Sequence, residues 1–105
     1  MSEAAERIAA AAARLPSDDR ATVEAAYREL LALMARDPAA RPFAAAGFDR
    51  LRQLDGLPQK FGTQHVERDG RRELWPVDPA TTDSERAKWG LPGLAELARR
   101  GACGG

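Results

Sequence analysis

The stretch PQKFGTQHVERDGRRELWPV, residues 58–77, marks the point where the periodicity of the chain changes. Apolar residues before it recur at helical spacing, whereas within it two runs suited to strands flank the dipeptide Asp69-Gly70. An Asp-Gly pair between two such runs is the strongest short-range signal for a β-hairpin. We therefore predict two strands, at residues 59–67 and 72–77, joined by a tight turn.

The register of this hairpin has two solutions. A two-residue type I′ loop would place Glu67 opposite Arg72, whereas a three-residue loop with Gly70 in the left-handed region would slip the pairing by one residue. The sequence does not choose between them. Because an isolated hairpin is marginal in water, we expect it to pack on the helices through Phe61 and Trp75.

Three helices are predicted upstream of the hairpin. The first ends before Pro16. The second begins with a cap at Ser17 or Asp18 and ends before Pro38, because proline disfavours helical geometry in the residue that precedes it. The third helix covers about 42–55, and together the three suggest an antiparallel helical layer.

Two shorter helices are predicted downstream. Thr82 and Glu85 have capping-box spacing, and Gly90 is a natural left-handed stop. Pro92 suits the first position of a last helix, which Gly101 ends. The expected fold class is α+β and mostly helical, with three N-terminal helices, one β-hairpin at about 59–77 and two short C-terminal helices; residues 1–100 form a single small globular domain and residues 101–105 a flexible C-terminal tail.

The charge balance argues against two classes of partner. The 105 residues carry 16 Lys and Arg against 16 Asp and Glu. A nucleic-acid-binding protein usually shows a basic footprint, and an amphipathic membrane helix usually carries a basic polar face. Because the sequence has neither of these, and no apolar run of membrane-spanning length, we expect a cytoplasmic protein that binds no nucleic acid and no membrane. The oligomeric state stays open.

Metal and cofactor chemistry has little support in the sequence. The chain has one cysteine, Cys103, and one histidine, His65. An intrachain disulfide and the usual Cys/His zinc clusters are therefore excluded. No glycine-rich phosphate-binding motif is present either. We expect no metal site and no cofactor.

A glycine inside the first predicted strand nominates a candidate site. Gly62 lies where a strand interior normally takes a branched residue, and such a glycine often marks a bulge or the close approach of a ligand or another backbone. Gln59, Thr63 and Gln64 beside it offer uncharged hydrogen-bonding groups. These groups suit a neutral polar ligand or the backbone of another chain. In the other interpretation, the glutamines satisfy backbone groups of the loop and strand edge.

Charged and titratable residues lie close to this segment. Asp49 and Arg50 are predicted to form a buried or half-buried pair, and arginine is suited to forked recognition of a carboxylate or phosphate. Alternatively, Arg50 caps helix ends or braces the hairpin. His65 has the only side chain with an ordinary pKa near neutrality, so it is the candidate acid or base of an enzyme. In the other interpretation, His65 has a packing role or is a surface residue.

Several short segments of the C-terminal half together resemble an uncharacterised bacterial family. Its members share a Pro-Gln-x-Tyr/Phe-Gly-Thr-Gln motif, followed by a Pro-Ile/Val-x-Asp-Pro segment and an ending similar to Arg-Arg-x-x-Gly-Leu-Pro. The resemblance implies no established activity, and longer members share upstream segments that this chain lacks. The matching segments are Asp49-Arg50 and residues 58–64, 75–79, 85–87 and 90–92.

These observations lead to three hypotheses of function. The first is a small cytoplasmic binding or interaction protein, in which a polar surface around Gln59–His65, with Asp49 and Arg50, holds a protein or a neutral or anionic small molecule. The second is a small enzyme with His65 as acid or base and Arg50 as anion clamp. The third is a carrier protein activated at the C-terminal Gly104-Gly105.

Overall fold

The computed structural model describes residues 2–103, the last four of them by their backbone alone. It confirms the predicted α+β, mostly helical fold class. A 3-10 turn, Pro38–Ala40, joins the second and third helices. The helices are α1 (Glu3–Ala12), α2 (Arg20–Met34), α3 (Arg41–Leu54), α4 (Asp83–Lys88) and α5 (Leu94–Cys103), and the strands are β1 (His65–Arg68) and β2 (Arg71–Leu74).

The first three helices form the main apolar core. α2 packs against both α1 and α3, and many of the side chains between the helices are alanines, so the helices lie close together. At Gly47 of α3, an added Cβ would lie 3.0 Å from Cδ1 of Tyr27 on α2. A side chain at this position would therefore push α2 and α3 apart. The buried apolar residues of this core are Ile8, Ala11, Leu15, Val23, Ala26, Leu30, Leu33, Ala40 and Ala44.

The start of α2 differs from the prediction. Its N-cap residue is Asp19, not Ser17 or Asp18. The hydroxyl of Ser17 accepts the N–H of Asp19 at 3.0 Å, and the carboxylate of Asp18 accepts a hydrogen bond from Arg50 at 2.9 Å. Because both side chains are engaged in the turn between α1 and α2, the helix begins after them.

The hairpin has the register of a type I′ turn. Asp69 and Gly70 have φ angles of 51° and 77°, the left-handed conformation that this turn requires at both central residues. Glu67 lies opposite Arg72, as in the first of the two predicted registers. Each strand has four residues, so the hairpin is shorter than predicted.

Residues 60–64, predicted to belong to the first strand, form a loop. Gln59, just before the loop, pairs with Val77 through an isolated parallel bridge. The loop carries Phe61 into the interior, where its side chain is 2% exposed. Trp75, the other predicted anchor, is only partly buried.

The two C-terminal helices follow the predicted order. Thr82 caps α4, because its hydroxyl accepts the N–H of Glu85 at 3.1 Å. Gly90 then adopts a φ of 72°, which confirms it as the left-handed stop. Within residues 2–103, no helix combines the length and the apolar character needed to cross a membrane.

The last helix has different bounds from those predicted. It begins at Leu94, not Pro92, where the carboxylate of Asp83 accepts the N–H of Leu94 at 2.9 Å. It continues past Gly101 to Cys103 and packs against β2. The flexibility expected of residues 101–105 stays a prediction, and residues 104 and 105 lie outside the described part of the chain.

Candidate functional site

The carboxylate of Asp49 holds the loop that precedes the hairpin. Asp49 lies on α3 and is fully buried. Its Oδ1 accepts the backbone N–H groups of Lys60 and Phe61 at 2.8 and 2.9 Å. Its Oδ2 accepts the N–H and the hydroxyl of Thr63 at 3.0 and 2.7 Å. These donors satisfy the hydrogen-bonding needs of the buried carboxylate. They also explain why residues 60–64 do not form the predicted strand, because N–H groups that bind Asp49 are not available to a neighbouring strand.

The side-chain amide of Gln59 closes the open end of the hairpin. Gln59 is fully buried. Its Oε1 accepts the N–H of Gln64 at 2.8 Å, while its Nε2 donates to the carbonyls of Gln64 and Trp75 at 2.9 and 2.7 Å. Trp75 also donates its N–H directly to the carbonyl of Gln64 at 3.0 Å. The side chain of Gln59 therefore satisfies backbone groups of the loop and strand edge, as in the alternative interpretation.

Gly62 is a point of close approach inside the protein. Its φ is 94°, a conformation that side chains disfavour. An added Cβ would lie 3.1 Å from Cδ1 of Leu97 and 3.6 Å from Cδ1 of Leu94. The group that approaches this glycine is therefore α5.

A buried arginine that sequence reasoning did not single out supports the same loop. Arg86 on α4 is 2% exposed. Its Nε donates to the carbonyl of Phe61 at 2.9 Å, and its Nη1 donates to the carbonyl of Thr81 at 3.1 Å and to the carboxylate of Asp83 at 2.9 Å. The available signal was the spacing of Asp83 and Arg86, which places them as neighbours on one helix face.

Arg50 points away from Asp49, so the predicted pair does not form. Successive residues of a helix are rotated by about 100° around its axis. Arg50 instead reaches the turn between α1 and α2, where its Nη2 donates to the carbonyls of Ser17 at 2.9 Å and Pro16 at 3.2 Å. The same atom lies 2.9 Å from the carboxylate of Asp18. This is the helix-end role predicted as the alternative.

Arg50 also lines an open cavity of about 350 Å³ between α1, α3 and the start of β1. Two other predicted residues, Gln64 and His65, also line it. Gln53 connects them, because its Oε1 accepts from Nη1 of Arg50 at 2.7 Å and its Nε2 donates to the carbonyl of His65 at 3.1 Å. The remaining wall is formed by Ala12, Leu15, Pro16, Phe43 and Ala46.

Two polar atoms of these cavity residues have no partner among the described residues. Nδ1 of His65 is buried without a hydrogen bond, whereas Nε2 lies 3.3 Å from the carbonyl oxygen of Leu97. When the proton is on Nε2, Nδ1 is an acceptor. Nε2 of Gln64 donates to the hydroxyl of Thr63 at 3.0 Å, which leaves Oε1 of Gln64 as a second acceptor.

The imidazole of His65 favours its neutral form. Burial lowers the pKa of His65 below its ordinary value of 6.5. The carbonyl of Leu97 opposes this effect, and the positive charge of Arg72 lowers the pKa further. At neutral pH the ring is therefore uncharged and has a free nitrogen lone pair.

The predicted site residues thus fall into two groups. Asp49, Gln59, Gly62 and Thr63 lie in or under the loop and hold it in place, whereas Arg50, Gln64 and His65 share the cavity. Among residues 2–103, no cluster of three or more His, Cys, Asp or Glu side chains is arranged to hold a metal ion. The Gly104-Gly105 end, on which the carrier hypothesis depends, lies outside the described residues.

No family model matches the chain, and no curated protein or solved structure is significantly similar to it. The resemblance of the C-terminal half to an uncharacterised bacterial family therefore stays a prediction. The functional interpretation rests on the cavity and its chemistry.

Proposed function

We propose that this protein is a small cytoplasmic binding protein, and that its ligand presents an amide N–H and a carboxylate or carbonyl to the cavity beside His65. One observation carries the proposal. Arg50 of α3 and the consecutive residues Gln64 and His65, at the start of β1, line the same cavity of about 350 Å³. A concave site with an apolar wall and a few convergent polar groups is the usual form of a ligand site.

The acceptor atoms without a partner indicate where the N–H of the ligand binds. Oε1 of Gln64 and Nδ1 of His65 both accept hydrogen bonds, so they suit the N–H of an amide. Nδ1 of His65 is buried without a partner, which costs about 1–3 kcal/mol. A ligand N–H would remove that cost once the ring turns Nδ1 toward the cavity.

The guanidinium of Arg50 favours an acceptor on the same ligand. Its side chain is 14% exposed, whereas its carboxylate partner, Asp18, is 100% exposed. An exposed partner is screened by water and contributes little. A ligand carboxylate or carbonyl at this end of the cavity would therefore meet a positive charge that is only weakly neutralised.

The apolar wall completes the description of the ligand. Leu15, Phe43 and Ala46 line the same cavity as the polar groups, and Phe43 is 41% exposed. An apolar substituent next to the amide would cover part of this surface. The combined requirements fit an acylated amino acid or the end of a peptide.

The test is a titration with N-acetylglycine, which has one amide N–H and one carboxylate. We expect the side-chain amide resonances of Gln53 and Gln64 to shift in ¹⁵N heteronuclear NMR spectra. Acetate, which lacks the N–H, should bind at least about tenfold more weakly, because one hydrogen bond of about 1.4 kcal/mol corresponds to that factor. Shifts confined to other parts of the protein would contradict the proposal.

The variant for this test is the double substitution Gln64→Ala with His65→Phe, which removes both acceptors. Arg68→Ala is the control, because Arg68 is an exposed residue of the same strand. We expect the double variant to lose binding of N-acetylglycine and Arg68→Ala to retain it. Unchanged affinity in a folded double variant would disprove this binding mode.

A second candidate function is an enzyme with His65 as general base. It is favoured by the neutral ring of His65, its free Nδ1 and the neighbouring Arg50. Gln64 is the amide that would orient the substrate, because Gln59 does not line the cavity. If the protein hydrolyses amides, the wild type should cleave N-acetylglycine amide and the His65→Phe variant should not. Absence of turnover by the wild type would argue against the enzyme and leave binding as the proposed function.

A further inference from the structure

Four aromatic residues form a continuous row on the side of α3 away from Arg50. The ring centroids of Tyr27 and Phe48 are 6.2 Å apart, those of Phe48 and Phe61 are 6.1 Å apart, and those of Phe61 and Trp89 are 5.2 Å apart. These residues belong to α2, α3, the loop under Asp49 and the end of α4. The row therefore joins four separate parts of the fold.

The row encloses a cavity of about 180 Å³, also lined by Ala44 and Lys60. An apolar cavity of about 150 Å³ is large enough to hold a benzene molecule. Aromatic side chains offer a ring both stacked and edge-on contacts, each worth about 0.5–1.5 kcal/mol beyond the area that they bury. The space thus has the size and the lining for one aromatic ring.

Lys60 lies at the edge of this cavity. Its Nζ is 5.3 Å from the centroid of Phe61 and 2.9 Å from the carboxylate of Glu85. Burial raises the pKa of the Tyr27 hydroxyl, and the positive charge of Lys60 opposes that rise. The ammonium group and the phenol are therefore close enough to interact.

A second, more polar cavity of about 320 Å³ adjoins the first, because Phe48 and Lys60 line both. Arg52 lies in its wall. Nε of Arg52 donates to the carbonyl of Pro58 at 2.9 Å, and the positive charge of Arg52 acts on the carboxylate of Asp55, which is itself paired with Arg20. A guanidinium with free Nη groups is well suited to paired hydrogen bonds with a carboxylate.

The acidic residues of the second cavity are already engaged. The carboxylate of Glu85 pairs with Lys60, and Oδ1 of Asp78 accepts the N–H of Ala80 at 2.9 Å. The two Nη groups of Arg52 make no hydrogen bond within the described chain, so they are the donors of this cavity to which a carboxylate can bind.

We infer that the two cavities form a second ligand site, which takes an aryl carboxylate: the aromatic ring enters the space between Tyr27, Phe48, Phe61 and Trp89, and the carboxylate binds Arg52 and Lys60. This site lies on the other face of α3 from Arg50 and requires a different ligand. It is therefore independent of the binding function proposed for the cavity beside His65.

Phenylacetate is the probe for this site, and the indole N–H resonance of Trp89 is the readout. The Trp75→Phe variant assigns that resonance, since the chain has two tryptophans. We expect phenylacetate to shift the Trp89 signal and to bind at least about tenfold more tightly than phenethylamine, because the amine would place a positive charge beside Arg52. Equal affinity for the two compounds, or shifts that spare Trp89, would overturn the inference.

Arg52→Gln and Lys60→Met test the charged end separately. Both residues lie at the surface side of the site, and neither substitution alters the aromatic row. Each should weaken phenylacetate by about tenfold, the effect of losing one charge-assisted hydrogen bond. Arg28→Gln is the matched control, because Arg28 is 75% exposed and pairs with Glu24 away from the cavities.

Toluene separates the ring from the charge. Its binding should shift Trp89 equally in the wild type and in Arg52→Gln, since toluene has no carboxylate. If Arg52→Gln and Lys60→Met both bind phenylacetate as the wild type does, the carboxylate contacts are wrong and the inference fails.

Discussion

The side-chain amide of Gln59 pairs with the backbone of Gln64 through two hydrogen bonds, with Oε1 accepting the N–H at 2.8 Å and Nε2 donating to the carbonyl at 2.9 Å. Two neighbouring strands exchange bonds in the same way. The amide extends this pattern to Trp75, whose carbonyl accepts from Nε2 at 2.7 Å. The side chain of Gln59 thus takes the place of a neighbouring strand. It holds the backbone of Gln64, which lines the cavity.

Replacement of this amide by a carboxylate should be costly. In Gln59→Glu, a negatively charged oxygen would face the carbonyls of Gln64 and Trp75, and two donated hydrogen bonds would be lost. We expect a loss of about 3–5 kcal/mol in the free energy of unfolding, as for an uncompensated buried charge, measured by urea denaturation. Gln64→Glu is the comparison. It also loses the donors of Nε2, which bind the hydroxyl of Thr63 at 3.0 Å and the carbonyl of Ala46 at 3.5 Å, but it should cost less, because Gln64 is only partly buried and its new carboxylate stays in contact with water; equal losses would show that Gln59 is not special.

The carboxylate of Asp49 should be equally sensitive to substitution by its own amide. Asp49→Asn places an NH₂ group against N–H donors that need an acceptor, so at least one of the four bonds is lost in the interior. The expected loss is about 2–4 kcal/mol in the free energy of unfolding. Asp55→Asn is the matched control, since Asp55 pairs with Arg20 at the surface, and it should be tolerated. A tolerated Asp49→Asn would contradict the role given to this carboxylate.

Gly62 can be tested against another glycine with a similar backbone. Gly62→Ala combines left-handed strain with a contact of 3.1 Å to Leu97, and it should lower the free energy of unfolding by about 2–4 kcal/mol. Gly56 has a φ of 71° with no atom near its missing Cβ, so Gly56→Ala should cost only about 1 kcal/mol. Thermal and urea unfolding measure the difference. Equal losses of stability in the two variants would mean that α5 moves away from an added Cβ at position 62 at little cost in free energy.

The titration of His65 should make stability fall in mild acid. The pKa of His65 is lowered in the folded protein, so in this pH range the unfolded chain binds more protons than the folded one. The contribution of neutral His65 to the free energy of unfolding is complete above its ordinary pKa of 6.5. It is lost as the pH falls through the pKa of His65 in the folded protein. Between about pH 7.5 and about pH 5, the wild type should lose more stability than His65→Gln, which does not titrate. Parallel losses would show that the ring is not held in its neutral form.

Much of the fold follows from local sequence signals. The hairpin turn at Asp69-Gly70 needs two left-handed residues, and this dipeptide is among the few that adopt them readily. The caps at Thr82 and Gly90 are local as well. Such features depend on residues within one turn of each other, so a single sequence contains the information needed to predict them.

The site was harder to predict because its bonds are long-range. The polar cluster at residues 59–64 was identified, but its partners, Asp49 and Arg86, lie on helices before and after it. Whether an amide or carboxylate faces a ligand or the protein's own backbone depends on how these helices pack. The same applies to Arg50, whose partners in the turn after α1 carry no pattern that identifies them. The aromatic row was not foreseen as a row, since its members come from four elements.

Asp49 and Arg50 are consecutive in α3, yet one binds the loop before the hairpin and the other binds the turn after α1. Their contacts depend on the helical phase of these two positions. One residue inserted between them would rotate the rest of α3 by about 100° and would carry Arg50 away from Ser17. Extra residues at the hairpin tip would disturb neither contact. Changes in chain length are therefore tolerated at the tip and excluded within the last turns of α3.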